Sequence, residues 1–244
     1  RTMPFILRRT KDEVLDDLPE KISYEQMVEL SPEEMQIYEK IRQDVEVKFK
    51  KHKTKAERDL AKTLNISFFQ ELTKLRLLSN SVSLVYPEWK PESSKIAALR
   101  DIVSSLGSRS DNRVLIFSQF TSVLALVGAM MKDIGVDYLY LDGQTEMDER
   151  QRLVDAFQAG ECQFFLISLK AGGLGLNLTA ANYVILMDPW WNPSIEDQAT
   201  DRAHRIGQER NVTVIRLVSA NTIEEKILKL HEAKQSLSDK MLEG

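Results

Sequence analysis

Cysteine occurs once, at Cys162, so no internal disulfide can form, and such usage fits a reducing compartment. Positive charge is not in excess either: 33 Lys and Arg face 37 Asp and Glu, giving a net charge of −4 and a pI near 5.6. That balance does not suggest a bulk nucleic-acid binder, which needs clustered cations to displace counterions, although a local basic groove can sit on an acidic protein. The longest unbroken apolar run is Val123 to Met131, far short of the about 20 residues that cross a bilayer. No membrane partner is expected. No Gly-Lys dipeptide occurs anywhere, which removes the G-x-x-x-x-G-K-[ST] phosphate loop. No G-x-S-x-G elbow occurs, so a serine hydrolase of that type is not expected. His52, His204 and His231 have no Cys or His neighbour at ligand spacing, so no metal site is expected.

The 244 residues can bury a sizeable core. The opening RTMPFILRRT ends its apolar run on two arginines and is no secretory signal; it reads as a cut through a longer polypeptide. From about 31 to 85 the pattern is helical and highly charged. Ser31-Pro32-Glu33-Glu34 is a helix start with Ser31 as N-cap, Pro32 at the first position and Glu34 completing a capping box. Ile37, Ile41, Val45 and Phe49 follow at four-residue spacing, and a second apolar helix covers Leu64 to Leu78. Between them KFKKHKTKAERDLAK is a charge run, either a solvated helix or loop or a DNA-binding patch.

The second half has another rhythm. Apolar, β-rich runs at Val114–Ser118, Asp137–Leu141, Gln163–Ser168, Tyr183–Met187 and Val212–Val218 alternate with helical patterns at 121–132, 147–159, 194–206 and 222–240. Runs such as VLIF and FFLI suit strands covered on both faces. The expected fold is α/β, a three-layer sandwich around a parallel sheet. In such sheets ligands sit outside the carboxyl ends of the strands, where small polar loops fall: Ser118-Gln119-Phe120, Asp142-Gly143-Gln144-Thr145, the glycine loop Ser168 to Asn177, and Asp188-Pro189-Trp190-Trp191-Asn192-Pro193.

The glycine loop permits close backbone approach to a phosphate or sugar, or is simply a structural turn. Asp188 lies at a distance that a dinucleotide site would use, but the loop follows the third of these strands and no helix start follows it. Asn192-Pro193 reads as N-cap and first helical residue, which puts Trp190 and Trp191 on a loop tip. They either cap the core or meet a sugar-phosphate backbone. Further on, Gln198, Arg202 and Arg205 fall at i, i+4 and i+7 of the helical pattern and share one stripe. That stripe either converges on an anion or bridges Asp201 and Glu209 at the surface.

Taken in order, VLIFSQF, LDGQT, FFLISLKAGGLGLNLTAANYVILMDPWWNP and DQATDRAHRIGQ resemble motifs IV to VI of helicase superfamily two, in the form of SWI/SNF-type ATPases. PFILRRTKDEV at 4–14 and TIEEKIL at 222–228 extend the resemblance, while LRLLSNSV departs from the family's usual cysteine- and histidine-bearing version. The resemblance implies a second RecA-like motor lobe at 93–221, preceded by a linker from a first lobe at 1–30 and a helical insertion at 31–92, and followed by a C-terminal helix at 222–244. It implies ATP with Mg2+ held mainly by that first lobe, to which Arg202 and Arg205 act as arginine fingers with Gln198 positioning them. Gly173, Gly175 and Asn177 would face the nucleotide. Ser118, Gln119, Thr145, Ser168, Lys170 and Trp191 would face double-stranded DNA. The implied protein is intracellular, translocates on duplex DNA and acts on a DNA-bound protein cargo, while these 244 residues alone hydrolyse nothing. A strand-separating helicase lobe, a catalytically inactive interaction module and, more distantly, a dinucleotide-binding domain are the alternatives.

Overall fold

The computed structural model describes residues 18–50, 61–172 and 175–242. The segments PFILRRTKDEV and most of KFKKHKTKAERDLAK, together with Gly173, therefore lie outside the described residues. Six strands form one all-parallel sheet: β1 (Lys21–Val28), β2 (Val114–Ser118), β3 (Tyr138–Leu141), β4 (Phe164–Ser168), β5 (Tyr183–Leu186) and β6 (Val212–Ser219). Their order across the sheet is β1-β6-β5-β2-β4-β3. The helices are α1 (Pro32–Lys50), α2 (Ala61–Asn80), α3 (Ser94–Gly107), α4 (Thr121–Asp133), α5 (Met147–Ala159), α6 (Leu169–Gly172), α7 (Pro193–Thr200) and α8 (Ile223–Leu242), with a 3-10 turn at Val82–Leu84. Among the described residues no helix is long and apolar enough to cross a membrane.

The consecutive apolar runs bury alternate residues on opposite faces, as the period of two in a strand demands. Val114, Ile116, Phe164, Leu166 and Ile185 pack with Leu99 and Val103 of α3 and Val123, Leu124 and Val127 of α4. Leu115, Phe117, Phe165, Ile167, Val184 and Leu186 face the other way, onto Val154 and Phe157 of α5 and Ala199 of α7. Both layers of the expected sandwich are present. A third cluster joins Tyr38, Ile41 and Val45 of α1, Leu75 and Leu78 of α2 and Ile223 and Ile227 of α8. The capping box at the start of α1 is made: Ser31 Oγ accepts the Glu34 N–H at 3.2 Å, and the Glu34 carboxylate accepts the Ser31 N–H at 3.0 Å.

Two differences from the sequence reading matter. Residues 21–28, expected within a linker, form edge strand β1, registered residue for residue on β6 from Lys21↔Val212 to Val28↔Ser219. Seven of its eight residues are exposed, so it carries no buried apolar run to announce it; backbone hydrogen bonds hold it. Helix α7 stops at Thr200 rather than near 206, so the expected stripe of Gln198, Arg202 and Arg205 does not exist. The next turns use their carbonyls elsewhere: Leu178 N–H donates to Arg202 O at 3.1 Å, and the buried Gln208 amide donates to Ala203 O and Ala181 O at 2.9 and 2.8 Å. Gly207, with φ +95°, turns the chain in a conformation that side chains resist.

Candidate nucleotide and DNA interface

Strand β2 lies between β4 and β5, so the loops after these three strands gather at one place. Ser118 and Ser168 are register partners, as are Phe117 and Leu186. A crevice at this point, outside the carboxyl ends of the strands, is the general ligand position in open parallel sheets.

One cleft there has a volume of about 180 Å³ and is lined by Leu169, Lys170, Trp190, Ile195, Gln198, Ala199 and Arg202. Three residues expected to act at the site, Lys170, Gln198 and Arg202, thus meet in it, although no helical stripe aligns them. Arg202 is buried to 9 % exposure, and its Nε has no hydrogen-bond partner among the described residues. Burial first, and the charge of Arg205 second, hold its guanidinium below the usual arginine value. Arg205 is exposed on the turn outside. Two neighbouring cations, one desolvated and incompletely paired, would be stabilised by an arriving anion. Among the described residues no three carboxylate, histidine or cysteine ligands gather at one point, so these residues do not by themselves fit magnesium. Gly175 (φ +71°) and Asn177 are exposed on the same loop.

The residues expected to face DNA divide. Lys170 is exposed, and Thr145 is half-buried with its hydroxyl accepting the Asp142 N–H at 3.1 Å. Arg150 braces that loop from α5, donating from Nε to Thr145 O at 2.6 Å. Ser118, Gln119 and Ser168 are buried. The Ser118 hydroxyl and the Gln119 amide both donate to the carboxylate of Asp188, itself 1 % exposed. A buried carboxylate must be supplied with donors, and these two side chains supply it rather than facing outward. Asp188, so occupied, is not free to meet a ribose hydroxyl. Trp191 is half-buried against the helical cluster instead of standing on an exposed tip, with the Arg76 guanidinium over its ring. Trp190 packs on the sheet layer, as the core-capping alternative has it, and also lines the cleft. Asn192 caps α7, accepting the Ser194 N–H at 3.3 Å.

The sequence reading missed Arg76 of α2. Its Nη2 donates to Pro189 O at 2.7 Å and stands 3.9 Å from the Asp188 carboxylate. The only signal was a cation between Leu75 and Leu77 in an otherwise apolar stretch.

An open, all-parallel six-stranded sheet with helices on both faces has the architecture of a RecA-like lobe. Comparison with known proteins gives the family. The profile of the Helicase conserved C-terminal domain matches residues 94–207, and that of the SNF2-related domain matches 2–84. An uncharacterized ATP-dependent helicase of Mycoplasma genitalium is 40 % identical over 99 % of this chain and 23 % of its own length. The Sulfolobus solfataricus SWI2/SNF2 ATPase core in complex with dsDNA is 32 % identical, with a TM-score of 0.74 over 96 % of this chain and 49 % of that one. The C-terminal domain of a Sulfolobus solfataricus SWI2/SNF2 ATPase is 26 % identical, with a TM-score of 0.71 over 91 % and 90 %. The chain belongs to the SWI/SNF-type ATPases of helicase superfamily two, as their C-terminal RecA-like lobe. It spans about a quarter of the length of the curated relatives it matches.

Proposed function

We propose that this chain is the second motor lobe of a DNA-dependent ATPase that translocates on double-stranded DNA. ATP, with its magnesium, sits on a preceding lobe of the same polypeptide, and Arg202 and Arg205 reach it from this side. The observation that carries the reading is the cleft beside α7, where a desolvated Arg202, its Nε without a partner among the described residues, meets Gln198 and Lys170, while Arg205 projects outside.

In the reaction a water oxygen bonds to the γ-phosphorus, the bond to the β-γ bridging oxygen breaks, and negative charge spreads over the transferring oxygens. The planar guanidinium is permanently charged and presents a fixed fork of donors to such oxygens. Arginine fingers in other NTPases are worth about 10³–10⁵ in rate, or about 4–7 kcal/mol of barrier. Exposed Lys170 and half-buried Thr145 contact the DNA backbone, which gives grip with little sequence preference. Ser118, Gln119 and Ser168 act through the loops they shape; Gly175 and Asn177 face the nucleotide, a role the family resemblance also gives to Gly173. Alternating grip by the two lobes during each ATP cycle moves the protein along the duplex, against whatever protein cargo is bound to it.

The test is ATP turnover with and without duplex DNA. A polypeptide carrying this chain with its upstream lobe is expected to show DNA-stimulated hydrolysis, and Arg202→Lys and Arg205→Lys each lower it by about 10³-fold or more. The 244 residues alone are expected to be inactive; DNA-stimulated turnover by them, abolished by Arg205→Ala, would overturn the reading. The similar Mycoplasma genitalium protein bears the name helicase, which favours a second reading, strand separation. Release of a displaced strand from a partial duplex would select it.

A further inference from the structure

Arg76 arises from α2, in the helical module, yet it touches two loops of the sheet lobe. Its Nη2 holds the Pro189 carbonyl and faces Asp188, which also takes the Ser118 hydroxyl and the Gln119 amide. Its guanidinium carbon lies 5.3 Å from the Phe120 ring and 5.5 Å from the Trp191 ring. The loop after β2 and the loop after β5 thus share one cation supplied by a third element. The side chain is 6 % exposed and its Nε lacks a hydrogen-bond partner among the described residues. Burial holds its guanidinium below the ordinary arginine value, with Asp188 the largest opposing influence. A purely space-filling role at this position would be served at lower cost by an apolar side chain.

We propose that Arg76 is a positioning residue for DNA engagement, locking the Ser118–Phe120 loop, the Asp188–Trp191 loop and the helical module into one arrangement. It touches neither nucleotide nor DNA itself. Asn80, one turn along the same face, extends the lock: its amide donates to Arg76 O at 2.9 Å and to Glu224 Oε1 at 3.4 Å. A shift of α2 therefore displaces Trp191 and Pro189 together, and a load on the DNA-side loops is passed back to the helices.

The inference rests on the DNA reading above, and the experiment separates the two. In the polypeptide with its upstream lobe, DNA concentration is titrated against ATPase rate. Arg76→Lys keeps the charge but lacks the planar face and fork, and is expected to raise the DNA concentration for half-maximal rate about tenfold, the scale of a lost stacked and hydrogen-bonded cation, while KM for ATP moves less than about twofold. Arg76→Met combined with Asp188→Asn removes both buried charges, so that folding, checked by thermal melting, is retained. It is expected to show the same weakened DNA response. Half-saturation by DNA at the wild-type concentration in the folded double variant would reduce Arg76 to a counter-charge and overturn the inference. Equal losses in the DNA and ATP parameters would overturn it as well. If the unsubstituted polypeptide showed no DNA stimulation, the functional reading would fall, and this inference with it.

Discussion

Lys95 and Glu224 are both fully buried, and Lys95 Nζ donates to the two Glu224 oxygens at 2.8 and 2.6 Å. The Ser219 N–H adds a third donor at 2.9 Å. Burial raises the Glu224 carboxyl above the ordinary carboxylate value, and Lys95 opposes that rise. Removing Lys95 leaves a buried carboxylate without its cation, so Lys95→Met is expected to destabilise the chain by about 3–5 kcal/mol near neutral pH. The pH dependence follows from the sign. A carboxyl whose folded value is raised binds its proton more readily folded than unfolded, and that contribution is present in acid and lost as pH climbs through the folded value. Part of the loss in Lys95→Met should therefore be recovered at mildly acid pH, which urea unfolding of the 244 residues at two pH values measures. An equal loss at both would show that Glu224 is not the group responsible. Arg76, Lys95 and Glu224 share one reason for escaping the sequence reading. Each is a charged residue whose partner is 100 or more positions away, and nothing local distinguishes it from a solvated charge.

Elements were legible in proportion to how much they bury. The five strands with consecutive apolar residues were placed within a residue of where they stand, and α5 fell on its expected bounds. The sixth, β1, was not, because an exposed edge strand takes its stability from a ladder rather than from apolar side chains. The end of α7 was misjudged for a related reason: a polar, evenly spaced stretch continues the helical pattern past Thr200, but long-range hydrogen bonds divert its carbonyls. Gln208 takes part in that diversion through the Ala203 carbonyl, and it also accepts the Arg210 N–H at 2.9 Å. Gln208→Leu leaves the Ala181 and Ala203 carbonyls without this donor, at a cost of about 1–3 kcal/mol. With the upstream lobe present it should lower ATPase activity by more than that loss of stability explains, since it loosens the turn carrying Arg205. Urea unfolding paired with turnover distinguishes the two; activity unchanged in a destabilised variant would detach this turn from the chemistry. At the candidate site the sequence shows which residues share the strand-end loops, and only partly which side chains turn outward. Spacing gives which residues share a loop, not which of them a buried carboxylate such as Asp188 will claim.

The helical module and the sheet lobe are joined by the Arg76 contacts and by the Lys95–Glu224 pair, while inside the helical cluster the Tyr38 hydroxyl accepts the Ile223 N–H at 2.7 Å. Burial above all pushes that phenol up to about 12. Two polar crossings between the helical cluster and the sheet layers predict that the chain unfolds as one unit. Trp191 and Trp89 report on the helical cluster and Trp190 on the sheet layer, so tryptophan fluorescence and far-UV circular dichroism should give coincident thermal transitions. Two separated transitions would mean that the module and the lobe melt independently.

Strand β1 gives the molecule a mechanical property as well. It lies parallel to β6 along its full length, and the chain enters the sheet through its first residue. Tension applied at that entry runs along the strand, so the hydrogen bonds of the ladder resist together in shear instead of opening one after another. An attachment of this geometry holds against a steady pull even though its side chains are bathed in water, which suits a part that must stay fixed while its neighbour does work.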